Sequence, residues 1–248
     1  MPVTASASAT VSLLHGVSAV VTGASRGIGR AVAAALAAAG AHTFLMSRSA
    51  SDLARVAIEI GGNAVAVPCD VTNAAAVALA VQTIREHRAD GPTILVNNAG
   101  VFPLGLLERT DPALFEHALQ ANLLAPFRFL HAFLPLMRAA GRGHVITIGS
   151  VADRQIYSGN GAYSASKFGA RALHEVLREE LRGSGIRTTL VAPSATDTPI
   201  WDPIDPDNTP GFPPRSAMLR PDDVADAVLW AVTRPAHVNV DELRISRA

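Results

Sequence analysis

One cysteine, Cys69, in 248 residues leaves no pair for an internal disulfide framework and agrees with a reducing compartment. An excess of charge is missing too. The 21 basic and 21 acidic side chains balance, so no basic footprint marks nucleic acid or a membrane surface as a partner. No apolar run is both long enough and free enough of glycine and charge to span a bilayer. The eight histidines show neither an H-x-x-x-H spacing nor a Cys/His cluster, so no metal site is expected. Met1 to Thr10 lacks a basic stretch followed by an apolar one. Residues 1–12 are therefore expected to be a disordered tail rather than a signal, and the cytoplasm is the default location.

What is present is a regular alternation of short apolar runs and helix-period segments. Val17–Thr22, His42–Ser47, Ala64–Pro68 and Thr93–Asn97 read as strands, separated by helical patterns ending near Ala39, Ile60 and Arg88. Further strands are expected at His144–Gly149, Ile186–Ala192 and Glu242–Ser246. Alternation of this kind predicts an α/β fold: one domain over 13–248, doubly wound (Rossmann-type), with about seven parallel strands and helices on both faces.

Two stretches carry chemistry. The first strand runs into Gly23-Ala-Ser-Arg-Gly27-Ile-Gly29, followed by an Ala-rich helix. Glycines between a strand and a helix let the backbone approach a pyrophosphate, and the helix N-terminus supplies free N–H groups. The spacing is G-x-x-x-G-x-G, not the G-x-G-x-x-G of the usual dinucleotide fingerprint. The second stretch runs from Ser150, at a strand's C-terminal end, to Tyr163 and Lys167 near the start of a long helix over about 162–182. Residues four apart on a helix share a face. An ammonium beside a phenol favours the phenolate, so a Tyr so placed exchanges protons with a substrate oxygen near neutral pH, with Ser150 as a second hydrogen bond.

Between them lies a pattern for one long helix, Pro112 to about Ala139, containing Asn122, Pro126 and Pro135. Pro126 lacks the N–H that would bond the carbonyl of residue 122, so a kink there would free the Asn122 carbonyl for a water or an ammonium. Pro199 to Pro214 holds six prolines among Trp201, Ile204 and Phe212, and this irregular segment, to about residue 220, is expected to be a lid over a substrate.

In order and spacing, Thr22–Gly29, Cys69–Val71, Asn97–Gly100, Asn122, Ser150 and Tyr163–Lys167 resemble the short-chain dehydrogenase/reductase family, from about Leu13 to the C-terminus. The resemblance implies a catalytic tetrad of Asn122, Ser150, Tyr163 and Lys167, with Tyr163 as acid/base and Ser150 orienting the carbonyl. It gives Lys167 the tasks of lowering the Tyr pKa and binding the nicotinamide ribose, and the Asn122 carbonyl a water linked to Lys167. By the same likeness the cofactor contacts are Gly23, Ser25, Arg26, Gly27, Ile28 and Gly29 in the turn, and Ser47 and Arg48 after the second strand. Asp70 and Val71 would face the adenine, and Asn97, Ala99 and Gly100 its ribose. Pro193, Ser194, Thr196 and Thr198, with Tyr163 and Lys167, would hold the nicotinamide end. Two positions depart from the family pattern: Ser194 where Gly is usual, and Gly149 where a second Ser is common.

The expected activity is an NADP(H)-dependent interconversion of a ketone or aldehyde and an alcohol, the substrate being a small carbonyl compound or a 3-hydroxy acid. The second strand ends Met46-Ser47-Arg48-Ser49 with no carboxylate before Asp52, and Arg26 and Arg48 flank the site, which favours a 2′-phosphate. Rival readings are a reductase of 3-oxoacyl thioesters, which the acidic lid (Asp202, Asp205, Asp207) opposes, and a non-catalytic cofactor sensor. Family likeness implies a homo-oligomer, a tetramer, with the two long helices at an interface.

Overall fold

The structure, a computed structural model, describes residues 13–248, and the expected tail at 1–12 lies outside them. Seven strands form one parallel sheet: β1 (Ser18–Thr22), β2 (His42–Ser47), β3 (Ala64–Pro68), β4 (Ile94–Asn97), β5 (Gly143–Ile148), β6 (Ile186–Pro193) and β7 (Glu242–Ile245). Their order is β3-β2-β1-β4-β5-β6-β7. The chain therefore reverses direction across the sheet between β1 and β4, which leaves a crevice at the strands' C-terminal ends.

Successive residues of a strand face opposite sides, and the core divides accordingly. Ala19 and Val21 of β1 point to the side covered by α1 (Gly27–Ala38), α2 (Ala50–Ile60) and α7 (Pro221–Val232). Val20 points to the side covered by α3 (Ala74–His87), α5 (Ala125–Ala140) and α6 (Gly161–Glu180). Phe44, Phe129 and Phe133 on that second side are almost completely buried, each contributing about 1.5–3 kcal/mol of hydrophobic stabilisation. Helix starts follow local chemistry. Ser49 Oγ accepts from the Asp52 N–H and Asn73 Oδ1 from the Ala76 N–H, each satisfying an orphan donor. Gly141, in the left-handed region at φ 62°, ends α5.

The expected single helix over 112–139 is instead three pieces. Helix α4 (Pro112–Leu119) passes into a π turn at Gln120–Leu124 and then into α5. The Ala125 N–H bonds the Gln120 carbonyl, one residue wider than an α-helical bond. Pro126 sits in the first turn of α5, directly after the π turn. Among the described residues, no helix is long and apolar enough to cross a membrane.

Candidate functional site

The C-terminal ends of the strands line a cleft of about 1150 Å³. One end is built by β1, β2 and β3. Gly23 and Gly27 have positive φ, at 69° and 54°, and a Cβ on Gly29 would stand 2.3 Å from the Gly23 carbonyl oxygen. These three positions bring α1 tightly under the turn. The start of α1 has no side-chain cap and no acidic residue in its first turn, so its free N–H groups face the cleft without an internal anion. Arg26 and Arg48 line the same end and, among the described residues, form no ion pair. Asp70 is held below the usual carboxylate range by hydrogen bonds from the Thr72 N–H and hydroxyl and by the charge of Arg48, although partial burial pulls the other way and is the largest influence.

At the other end, Ser150, Tyr163 and Lys167 come together. Lys167 is buried and its Nζ donates to the Ile148 carbonyl at 2.9 Å. The ammonium lies 5.8 Å from the centroid of the Tyr163 ring. Burial pulls Lys167 down to about 8, with the charge of Asp153 opposing. Burial raises Tyr163 and Asp153 adds to the rise, while a hydrogen bond with Ser150 works against it. Enclosing the phenol disfavours its charged form more than these neighbours favour it.

Asn122 is buried beside the cleft rather than in it. Its Oδ1 accepts from the Val101 N–H at 2.8 Å, and its Nδ2 donates to the Val101 carbonyl at 3.0 Å and to Ser166 Oγ at 2.8 Å. Most of the other expected contacts line the cleft: Ser25, Ile28, Ser47, Val71, Ala99, Gly100, Pro193, Ser194, Thr196 and Thr198. Gly29 supports the turn from behind. Asn97 is buried and does not line the cleft; its neighbour Asn98 does. The Asn98 N–H bonds Thr22 Oγ1 at 2.9 Å and its Nδ2 donates to the Thr22 carbonyl at 2.8 Å, bracing the β4 end against the glycine turn. The residue was legible in the Asn97-Asn98 pair, but strand alternation decides which of the two points inward, and β4 ends at Asn97.

The segment over 199–220 is ordered around two short 3-10 turns, Pro199–Trp201 and Arg215–Ala217. Trp201 is buried and its Nε1 donates to the Thr196 carbonyl at 3.0 Å. Rings meet edge to face from Tyr163 to Phe102 (4.6 Å), Phe102 to Trp201 (5.1 Å) and Trp201 to Phe212 (5.9 Å), forming an aromatic wall. Two acids of this segment, Asp202 and Asp207, are not a free negative surface. Arg215 binds Asp197 at 2.6 Å and Asp202 at 2.7 Å and lies 3.9 Å from Asp207. Neither Arg215 nor Asp153 was singled out from the sequence, since in a loop each reads as an ordinary solvated charge.

A family model described as short chain dehydrogenase matches residues 18–209. A glycine betaine reductase of Emericella nidulans is 37% identical over 239 residues, 94% of this chain but 19% of that protein, so the chain spans about a fifth of that relative. An uncharacterized oxidoreductase of Staphylococcus haemolyticus is 34% identical over 94% of this chain and 97% of its own. Among solved structures, a metagenomic short-chain oxidoreductase in complex with NADP is 36% identical with a TM-score of 0.82, over 95% of this chain and 99% of its own. An alcohol dehydrogenase from the archaeon Thermococcus sibiricus, complexed with 5-hydroxy-NADP, is 32% identical with a TM-score of 0.83, over 92% and 95%.

Proposed function

The chain belongs to the short-chain dehydrogenase/reductase family and is an oxidoreductase, and from that premise we propose that it interconverts a small ketone or aldehyde and the corresponding alcohol with NADP(H). The observation that carries this reading is the meeting of Ser150, Tyr163 and Lys167 at one end of a cleft whose other end is a glycine cradle open to a pyrophosphate. The residues at that cradle fit a dinucleotide. The uncapped N–H groups of α1 would take the pyrophosphate, and Asp70 the adenine. Arg26 and Arg48 would take a 2′-phosphate; the first carboxylate after β2, Asp52, already faces Arg55 at 3.7 Å. NADP in the metagenomic neighbour supports that choice.

When bound, the nicotinamide supplies or accepts the hydride. The chain's own part is the proton. In reduction the Tyr163 hydroxyl gives its proton to the substrate oxygen, which Ser150 holds by a second hydrogen bond. Tyr163 starts as the neutral phenol that burial favours, which is the form a proton donor needs. Lys167, one helical turn away, offers a positive charge to the phenolate left behind. The buried Asn122 fixes the Val101 backbone and Ser166, and through them the walls on either side of the pair. Phe102, Trp201 and Phe212 give the substrate an apolar surface, which suits a small uncharged carbonyl compound, and Arg244, also lining the cleft, suits the carboxylate of a 3-hydroxy acid.

NADPH consumption across a panel of ketones, aldehydes and 3-oxo acids tests the reading. Tyr163→Phe removes one hydroxyl and almost no volume, so turnover should fall by about a hundred- to ten-thousand-fold with cofactor affinity nearly unchanged. Full activity in that variant would overturn the proton role. Tight cofactor binding with no turnover of any compound would favour a cofactor-sensing protein instead.

A further inference from the structure

Three residues beyond Ser150, the short turn Val151–Asp153 buries a carboxylate. Asp153 is 1% exposed, and its Oδ1 lies 3.5 Å from Arg154 Nε and 3.7 Å from Arg171 Nη1 on α6. Both guanidinium groups also face Glu242 of β7, Arg154 in direct contact and Arg171 at 3.9 Å. Two acids and two arginines thus balance, yet Asp153 is the one fully buried member; the others are 25–30% exposed. Among the described residues, neither Asp153 oxygen has a hydrogen-bond partner. A carboxylate buried on those terms is costly, and a neutral side chain would pack there with less penalty.

Its placement gives the cost a purpose. Asp153 Oδ2 stands 3.1 Å from where a Cβ on Gly149 would be, and Gly149 follows Ile148, whose carbonyl holds the Lys167 ammonium. On the other side the Asp153 N–H donates to the Ser150 carbonyl at 3.1 Å, and the Ser150 side chain acts on the Tyr163 phenol in the direction opposite to burial. The carboxylate is therefore one residue removed from the anchor of each group. Gly149 makes the room: a side chain there would meet Leu190 Cδ1 at 3.0 Å as well as the carboxylate.

We propose that Asp153 is a positioning residue for the Tyr163–Lys167 pair, its buried negative charge holding the proton on both groups. The proposal rests on the reading of Tyr163 and Lys167 as the proton-handling pair. A negative charge favours an ammonium over an amine and a phenol over a phenolate, so it acts in the same direction on the two. For Lys167 it opposes burial, which drives toward the neutral amine; for Tyr163 it adds to burial. The charged and titratable groups facing Asp153 are Arg154 from its own turn, Tyr163, Lys167 and Arg171 from α6, and Glu242 and Arg244 from β7. Glu175 stands behind Arg171 at 3.5 Å, and His174 on α6 feels Glu242.

The chain has two tyrosines, so in a Tyr157→Phe background the phenolate absorbance reports Tyr163 alone. Asp153→Asn in that background should move the Tyr163 titration to lower pH by about one unit. Both limbs of the pH–rate profile for NADPH-linked turnover should move the same way. Arg171→Gln keeps the carboxylate and removes a counter-charge, so it should move the titration to higher pH. A lower profile with unmoved limbs and titration in Asp153→Asn would make the residue merely structural and overturn the proposal. If Asp153→Asn does not fold, Arg171→Gln decides, an upward shift supporting the proposal and no shift overturning it. Movement of the titration in a protein that turns over no carbonyl compound would support the charge coupling and sink the catalytic reading of the pair. Tyr163-dependent turnover with a fixed titration would do the reverse.

Discussion

Asn122 Nδ2 donates a 2.8 Å hydrogen bond to Ser166 Oγ, tying the π turn of one long helix to the helix that carries Tyr163 and Lys167. The same amide closes two bonds with the Val101 backbone, so one side chain fixes three points around the cleft.

Removing one point should cost less than removing the hub. Ser166→Ala leaves Asn122 Nδ2 its bond to Val101 and should cost about 1 kcal/mol. That corresponds to about 2–4 °C in Tm for a domain of this size. Asn122→Ala strands the Val101 N–H and carbonyl together and should lower Tm by at least twice as much, with a larger loss of kcat. Equal losses by thermal denaturation would mean that Asn122 does not organise this region.

Cofactor choice follows from Arg48. In Arg48→Asp the new carboxylate repels a 2′-phosphate and accepts a ribose hydroxyl, so NADPH affinity should fall by at least tenfold while NADH is spared or improved. Fluorescence titration of both cofactors measures this. Wild-type protein that binds NADH more tightly than NADPH would reverse the assignment.

Two buried histidines predict acid sensitivity. His144 bonds Thr189 Oγ1 at 2.8 Å and His174 bonds Thr147 Oγ1 at 2.9 Å. Burial lowers them to about 3 and about 4, from an ordinary 6.5. Both are neutral in folded and unfolded chains above about pH 6.5, where they impose no pH dependence. As pH falls below that value the unfolded chain takes up protons that the folded one refuses, so stability drops until about pH 4 for His174 and about pH 3 for His144. Urea midpoints between pH 7.5 and 4.5 should therefore fall, and fall less steeply in the double variant His144→Gln/His174→Gln. Parallel slopes in the two proteins would remove the histidines from the account.

Assembly is the fourth expectation. Leu124 and Phe127 beside and on α5, and Phe168 and Val176 on α6, are 37–55% exposed in the isolated chain. Apolar surface on two neighbouring long helices agrees with the family's use of such helices as a subunit contact. Light scattering should give a tetramer mass at micromolar concentration, and Phe168→Asp should lower it. A monomeric wild type would rule the arrangement out.

The strands and the glycine turn were legible because each apolar run is short, β-branched and bounded by a turn residue, as in His144–Ile148 and Gly149. The break at Pro126 was legible as a break. Its form was not: a π turn and a sharp kink both accommodate the missing N–H, and the hydrogen bond from Asn122 in the π turn to Ser166 on α6 is a long-range contact that local sequence does not report. Proximity of Tyr163 and Lys167 followed from helical spacing, whereas the surroundings of the Tyr163 ring did not. Enclosure by Phe102 and the charge of Asp153 depend on chain segments 61 and 10 residues away in sequence, which no local pattern reports.

The sheet order also bears on how the chain is made. Beginning with β5, each strand pairs with the one synthesised just before it, and that half of the sheet can grow outward from β4 as it leaves the ribosome. β1 is different. It pairs early with β2, Ser18 against His42, but its second neighbour arrives only when Ala19 meets Ile94. During that interval a strand buried at every residue in the finished protein offers a bare apolar edge to other nascent copies. Synthesis that slows between residues 68 and 94 prolongs that exposure, so the yield of folded protein should depend on the speed of translation there more than anywhere later in the chain.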